Sequence, residues 1–379
     1  MNTYVRTPLR IASHKKIYYN QRYLTKYKRR LLELLDENDY MDTLEFAKDA
    51  MELQEIKANN NIEGINDDLS VIEKTIRNQN NIPLSQKERI INLHKGYHYI
   101  LTHSTINKES LRELYAILSK GLLDNYSIEN TGEYYRQRPV YILKNCKFDI
   151  ELYKGIPENE LEKYMDRFFE FVNTYEAKGN MNNFLKSQIM HFYFVYVHPY
   201  FDVNGRTSRT VAMWHLLNEK SYPYIIFNRA ISFNKGQYEK YIINGRKHGD
   251  ITLFLKYMLK EVEKELEKQI IIHDIKKNLD EELTREECQL IEYFLSLKSE
   301  ITLFDLTTKY NAFNVYQSPC ELVKNQIYPL IEKNVFLNLG PTKHKLTTTM
   351  PNLKLAISSD LIDIDPQKIK SLSLKNYIK

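Results

Sequence analysis

From Asn182 to Val197 the chain offers almost no polar face to a helix: Ile189, Met190, Phe192, Tyr193, Phe194, Val195 and Val197 fall on nearly every side of one. A helix that is apolar all round has to be enclosed by other elements, so this segment predicts a central helix within a multi-helix core. Thr207 to Leu217 repeats the same character. With 379 residues and 42% hydrophobic composition the chain can bury such a core, and its length suggests two or three domains. Gly and Pro are few, at 11 each, while Leu, Ile, Lys and Glu recur at helical spacing. The expectation is an all-α fold with small β additions.

Several classes drop out on composition. Met1 to Ser13 alternates polar and apolar positions and then meets the basic cluster His14, Lys15, Lys16, which matches neither a signal nor a transit peptide. No run reaches the roughly 18 apolar residues of a membrane helix. Cys146, Cys288 and Cys320 are odd in number and far apart, against a disulfide framework or a thiolate metal site, so a reducing cytoplasm is the expected compartment. A net charge of +5 is too small to imply nucleic acid by itself.

Apolar spacing predicts helices over Tyr23 to Asp36 and Met41 to Lys57, the second ended by Asn59-Asn60-Asn61. Further helices are expected over Leu84 to His103, Ser110 to Leu122, Glu160 to Ala177 and Tyr238 to Leu259. Lys260 to Lys277 reads as a charged amphipathic link. Gly132 to Leu143, rich in aromatic and β-branched residues, suggests a short hairpin, with a packing loop as the alternative. Beyond Leu283 the pattern is three short helices, near Arg285 to Leu297, Leu303 to Tyr310 and Ser318 to Lys333, then β-like Val335 to Gly340 and Lys345 to Thr349. That order resembles a winged helix. Its charge is close to balanced, with 12 Lys and Arg against 10 Asp and Glu from Leu283 onward. Glu321, Lys324, Asn325 and Tyr328 lack the Arg-rich face of direct base readout, so a structural or dimerising role is favoured over DNA binding.

The chemistry concentrates in His198-Pro199-Tyr200-Phe201-Asp202-Val203-Asn204-Gly205-Arg206-Thr207-Ser208-Arg209. Pro199 disfavours the α conformation at His198 and so puts an imidazole at a helix end, where it can serve as a general base. Asp202 supplies a hard oxygen suited to magnesium. Asn204 and Gly205 form a turn into the next helix, whose free amides and dipole favour an anion. Arg206 and Arg209 share a face in its first turns, a repulsive arrangement that a bound phosphate would relieve.

This loop resembles the motif of the Fic family, in words His, Pro, Phe, any residue, Asp or Glu, Gly, Asn, Gly or Lys, Arg, any two, Arg. Tyr200 stands for Phe and Val203 for Gly. The resemblance covers roughly Ala50 to Leu259 and takes in His191 as well. It implies a Fic helical core with a small β-hairpin flap, acting as a protein adenylyltransferase that moves AMP from ATP to a Ser, Thr or Tyr hydroxyl of a protein target, itself included. His198 would be the base, Asp202 the magnesium ligand, and Asn204, Gly205, Arg206 and Arg209 the phosphate-holding set. Tyr238 would lie near the adenine, and Val140, Tyr141 and Ile142 would dock the target backbone. Asn59-Asn60-Asn61-Ile62-Glu63-Gly64 resembles the family's inhibitory motif, with Asn59 in place of Ser or Thr, which implies that Glu63 pairs with Arg209 and silences the enzyme. Homodimers are common among proteins that resemble this one.

The domain expectation is therefore an N-terminal helical region with the inhibitory motif (1–82), a catalytic core (83–262), a helical linker (263–282) and a winged-helix-like module (283–379). Because Val203 is β-branched where a glycine is the family habit, the loop's sharpest turn is expected at Gly205 instead. The competing reading is a catalytically weak regulator acting through a DNA- or partner-binding C-terminal module, or an enzyme that removes AMP with help from Glu63. His94 and His98 share a helix face at i, i+4 but lack the intervening Glu of a zinc hydrolase motif, so they read as a packed or surface pair.

Overall fold

The computed structural model describes residues 3–11, 15–36, 48–77, 84–145, 150–176, 180–219, 226–232, 234–297, 301–310, 318–346, 349–364, 369 and 378–379. The chain divides into two compact units, Met1–Val262 and Glu263–Lys379. It is mostly helical, with antiparallel strand pairs as its β content.

The first unit opens with strands β1 (Tyr4–Arg10) and β2 (Lys16–Asn20), paired so that Val5 faces Tyr19 and Arg6 faces Tyr18. This hairpin was not expected, although the polar–apolar alternation of the N-terminus is its signature. It buries Leu9, Ile11, Ile17 and Tyr19. Helix α1 (Gln21–Asp36) follows, then α2 (Lys48–Ile62), α3 (Leu69–Ile76), α4 (Leu84–Thr102), α5 (Lys108–Ser119) and the short α6 (Asn125–Glu129). Residues 41–47 of the second predicted helix lie outside the described residues. The Asn run does not end that helix: α2 continues through Asn59, Asn60 and Asn61, because Asn59 and Asn60 are fully buried and their amides have partners in the core.

The expected hairpin is displaced along the chain. Gly132 to Pro139 holds turns and the single bridge Thr131 to Arg136, and the strands are β3 (Tyr141–Asn145) and β4 (Ile150–Lys154). Pro139, which lacks a ladder donor, precedes the first strand. Helices α7 (Leu161–Thr174), α8 (Asn180–Val197), α9 (Asn204–Asn218), α10 (Ile226–Ser232), α11 (Lys235–His248) and α12 (Thr252–Asn278) complete the unit, the last running on past Val262.

α8 is the enclosed helix. Phe192, Tyr193 and Phe194 are fully buried, each apolar ring worth about 1.5–3 kcal/mol on burial. α9 packs along it and α7 covers another side, while α4 and α5 pack on α9. The Lys186 ammonium, which enters this core, donates to the Val172 and Tyr175 carbonyls, both at 2.8 Å. The α8–α9 junction therefore emerges from a rigid centre. No helix among the described residues is long and apolar enough to cross a membrane.

The second unit contains α13 (Arg285–Ser296), α14 (Leu303–Lys309), α15 (Pro319–Leu322) and α16 (Tyr328–Glu332), the last two joined by a π turn over Val323–Ile327. Pro329 accounts for that turn, since it cannot donate to the carbonyl four residues back and its ring crowds it. Strands β5 (Phe336–Lys345) and β6 (Pro351–Ile357) pair antiparallel, so the second strand lies later than the expected Lys345 to Thr349. Leu290, Phe294, Leu306, Val323, Leu330 and Phe336 form the core.

Candidate active site

α8 stops at Val197, and His198 takes φ 54°, a left-handed conformation consistent with Pro199 forbidding another helical turn. The chain then reverses and α9 begins at Asn204. The cap between them is Val203, at φ 65° and ψ 8°. The sharp turn thus falls on Val203 itself, not on Gly205, and a β-branched residue there costs on the order of 1–3 kcal/mol. Its buried side chain and the Thr207 amide and hydroxyl, both bonded to its carbonyl, hold the conformation.

Val203 makes no side-chain cap, so it leaves the first amides of α9 for another acceptor. Asn204, expected to hold phosphate, spends its side chain on the loop: its Oδ1 accepts from the Tyr200 amide at 3.0 Å, and its Nδ2 donates to the Tyr200 carbonyl at 2.9 Å. Gly205 lies inside the first turn of α9, where a Cβ would come within 2.6 Å of Glu63 Oε1 and 3.1 Å of Arg209 Nη1. Its smallness makes room for an anion against the helix end. Asp202 is exposed, with Oδ1 accepting from the Val203 amide at 2.6 Å.

Arg206 and Arg209 are both buried, and they differ in partners. Among the described residues, Arg206 Nε and Nη1 have none. A buried guanidinium with idle donors beside a second guanidinium is an anion site by its own chemistry. Arg209 is engaged: Nη2 donates to Glu63 Oε1 at 2.6 Å and to Asn59 Oδ1 at 2.6 Å, and Nε reaches Asn59 Oδ1 at 3.2 Å. Burial pushes the Glu63 carboxyl up, yet Arg209, Arg206 and Lys235 outweigh it and hold the group below the usual carboxylate range. α2 ends beside it in a left-handed Gly64 at φ 84°, with Gly64 N donating to the Asn61 carbonyl and Ile65 N to the Asn60 carbonyl.

The His198 imidazole is pushed down to about 3, chiefly by desolvation and then by Arg246 and Arg136, so it is neutral at physiological pH. Arg136 went unassigned in the sequence reading. It is buried, donates from Nε to the His198 carbonyl at 3.0 Å and from Nη1 to the Arg138 carbonyl at 2.8 Å, and its own amide donates to the Pro199 carbonyl. The only sequence signal was an arginine within an apolar, aromatic segment.

Tyr238 lies beside Arg209 and Glu63 at the back of the site. Its ring is buried and stacked on His191, with its hydroxyl 2.7 Å from His191 Nε2. Val140, half-buried, precedes β3 and accepts the Gly155 amide at 2.9 Å; Tyr141 is exposed, and Ile142 pairs with Tyr153 in the strand register.

Residues 105–216 match the Fic/DOC family, so the chain contains a Fic/DOC family domain. Proteins with this domain commonly transfer AMP or other nucleotide-derived groups to proteins, and generally use ATP with Mg2+. Among solved structures, a Fic family protein from Desulfovibrio desulfuricans is similar over 88% of this chain and 96% of its own, at 17% identity and a TM-score of 0.58. Fic-1 from C. elegans is similar over 65% and 71%, at 18% identity and a TM-score of 0.51. A Fic domain containing signaling protein from Bacteroides thetaiotaomicron is similar over 65% and 94%, at 15% identity and a TM-score of 0.50. At these identities the likeness is one of fold.

Proposed function

We propose that this protein transfers AMP from ATP to a Ser, Thr or Tyr hydroxyl of a target protein and that Glu63 holds it inactive. The observation that carries the reading is the pair of buried arginines at the α9 N-terminus, one with unpartnered donors and the other neutralised by a carboxylate from α2. Triphosphate would take over what Glu63 now occupies. Arg206 and the α9 amides would bind phosphate oxygens, and Arg209 would be freed for the γ-phosphate.

The neutral His198 accepts the proton of the target hydroxyl as that oxygen bonds to the α-phosphorus. The bond from the α-phosphorus to the bridging oxygen breaks, and pyrophosphate leaves with the electron pair. Asp202, an exposed hard-oxygen donor beside the helix end, suits a magnesium ion, whose charge would neutralise the phosphates. Tyr141 and the rest of β3 have an outer edge free of strand partners among the described residues, which suits a target segment adding as a strand.

The weak-regulator alternative rested on Val203, and it loses ground because Val203 adopts the left-handed conformation that the turn needs. The C-terminal unit, with α13 to α16 and the β5–β6 hairpin among its described residues, is proposed as a winged-helix-like module with a structural or partner-binding role. The test is intact-mass and fragment analysis of Glu63→Gly protein incubated with ATP, magnesium and lysate. An adenylyl adduct on a hydroxyl side chain supports the reading, and a phosphoryl adduct or none contradicts it.

A further inference from the structure

α4 presents His94 and His98 one turn apart, and α2 lays Glu52 against them. His94 Nδ1 is 2.7 Å from Glu52 Oε1, and His98 Nε2 is 4.0 Å from Glu52 Oε2. One donor atom from each residue fits within a 4.8 Å group. The third ligand that the sequence pair lacked therefore comes from another helix. A zinc ion at roughly 2.0–2.2 Å from each donor would set them about 3.4 Å apart, a spacing that the observed distances bracket. Glu52 and His94 are half-buried and His98 is exposed, so the site is preformed on two helices yet open for a solvent ligand.

We propose that Glu52, His94 and His98 bind a divalent transition-metal ion of the zinc type, and that the ion clamps α2 to α4. Glu52 lies near the start of α2, and Asn59 and Glu63 lie at its end on Arg209. Fixing α2 holds that end in place. The ion thus acts at a distance from the nucleotide site, as a lock on the inhibitory helix.

Chelator-stripped full-length protein, titrated with Co2+ and then Zn2+, tests the site without any assay of activity. The expected result is one equivalent of Co2+ with a tetrahedral visible spectrum, displaced by Zn2+, and weakened at least tenfold in His94→Ala, His98→Ala and Glu52→Gln. Hydrogen exchange over Lys48–Ile62 should slow at least fivefold with Zn2+ in the wild type and not in His98→Ala. Absence of saturable binding, or binding undiminished in the three variants, overturns the site. Binding without slowed exchange overturns the clamp. The consequence for activity rests on the function proposed above: Zn2+ should lower wild-type labelling and leave Glu63→Gly labelling unchanged. Because binding and exchange are read directly, they stand or fall apart from AMP transfer.

Discussion

Arg209 is the residue on which the switch turns, because a fully buried guanidinium must have a counter-charge and here Glu63 supplies it. Asn59 adds two hydrogen bonds to the same group. Asn59→Ala should therefore weaken the dock from both ends, raising basal labelling severalfold while lowering stability by about 1–3 kcal/mol in denaturant unfolding. The pH behaviour follows from the sign of the Glu63 shift. A carboxyl held below its ordinary range favours the docked state at all pH above that range and loses the advantage only on acidification through the lowered value. The ratio of Glu63→Gly to wild-type labelling should stay flat from about pH 6 to 8. Glu55 behaves in the opposite sense. Burial raises it to about 8, so its contribution is complete below the ordinary carboxylate range and is lost as pH rises toward 8. Glu55→Gln should flatten the fall in Tm between pH 5 and 8.5.

At the level of elements, α2 and the α8–α9 turn are held by groups that look unremarkable in a sequence. Arg136 ties the segment before β3 to the His198 and Pro199 carbonyls. Arg136→Ala should cost about 3 kcal/mol of stability and lower kcat of the Glu63→Gly enzyme more than it raises KM. Arg136→Lys should restore little, since a single ammonium cannot reach the separate carbonyls that the planar fork serves. The enclosed helix α8 and its continuation α9 were legible because their apolar character is continuous. The loop between them was legible because its charged residues are close in the chain. What was not legible depended on contacts across the fold. The Asn run stayed helical because the Asn59 and Asn60 side-chain amides donate to the Tyr97 hydroxyl and the Asp67 carboxylate. Gly205 is small because Glu63 approaches from 142 positions away in sequence, counted from residue 63 to residue 205. The turn at Val203 is set by tertiary packing against its β-branched preference, and the buried Tyr238 pairs with His191 from across the fold.

Across the whole molecule, the two compact units each have an apolar core of their own. Calorimetry should resolve two unfolding transitions, and ATP with magnesium should raise only the one belonging to Met1–Val262, by about 2.7 kcal/mol at a hundredfold excess over Kd. At one fixed ATP concentration the shift should be larger in Glu63→Gly than in the wild type, where the nucleotide has to displace a docked carboxylate.

The central claim is that one loop transfers the nucleotide and one carboxylate withholds it. Its most direct measurement is transfer of label from ATP carrying radioactive α-phosphate, compared among the wild type, Glu63→Gly and the Glu63→Gly, His198→Ala double variant. The account predicts near-silence in the wild type, at least a tenfold gain in Glu63→Gly, and loss of that gain in the double variant. Labelling that ignores Glu63, or that survives removal of His198, would contradict it.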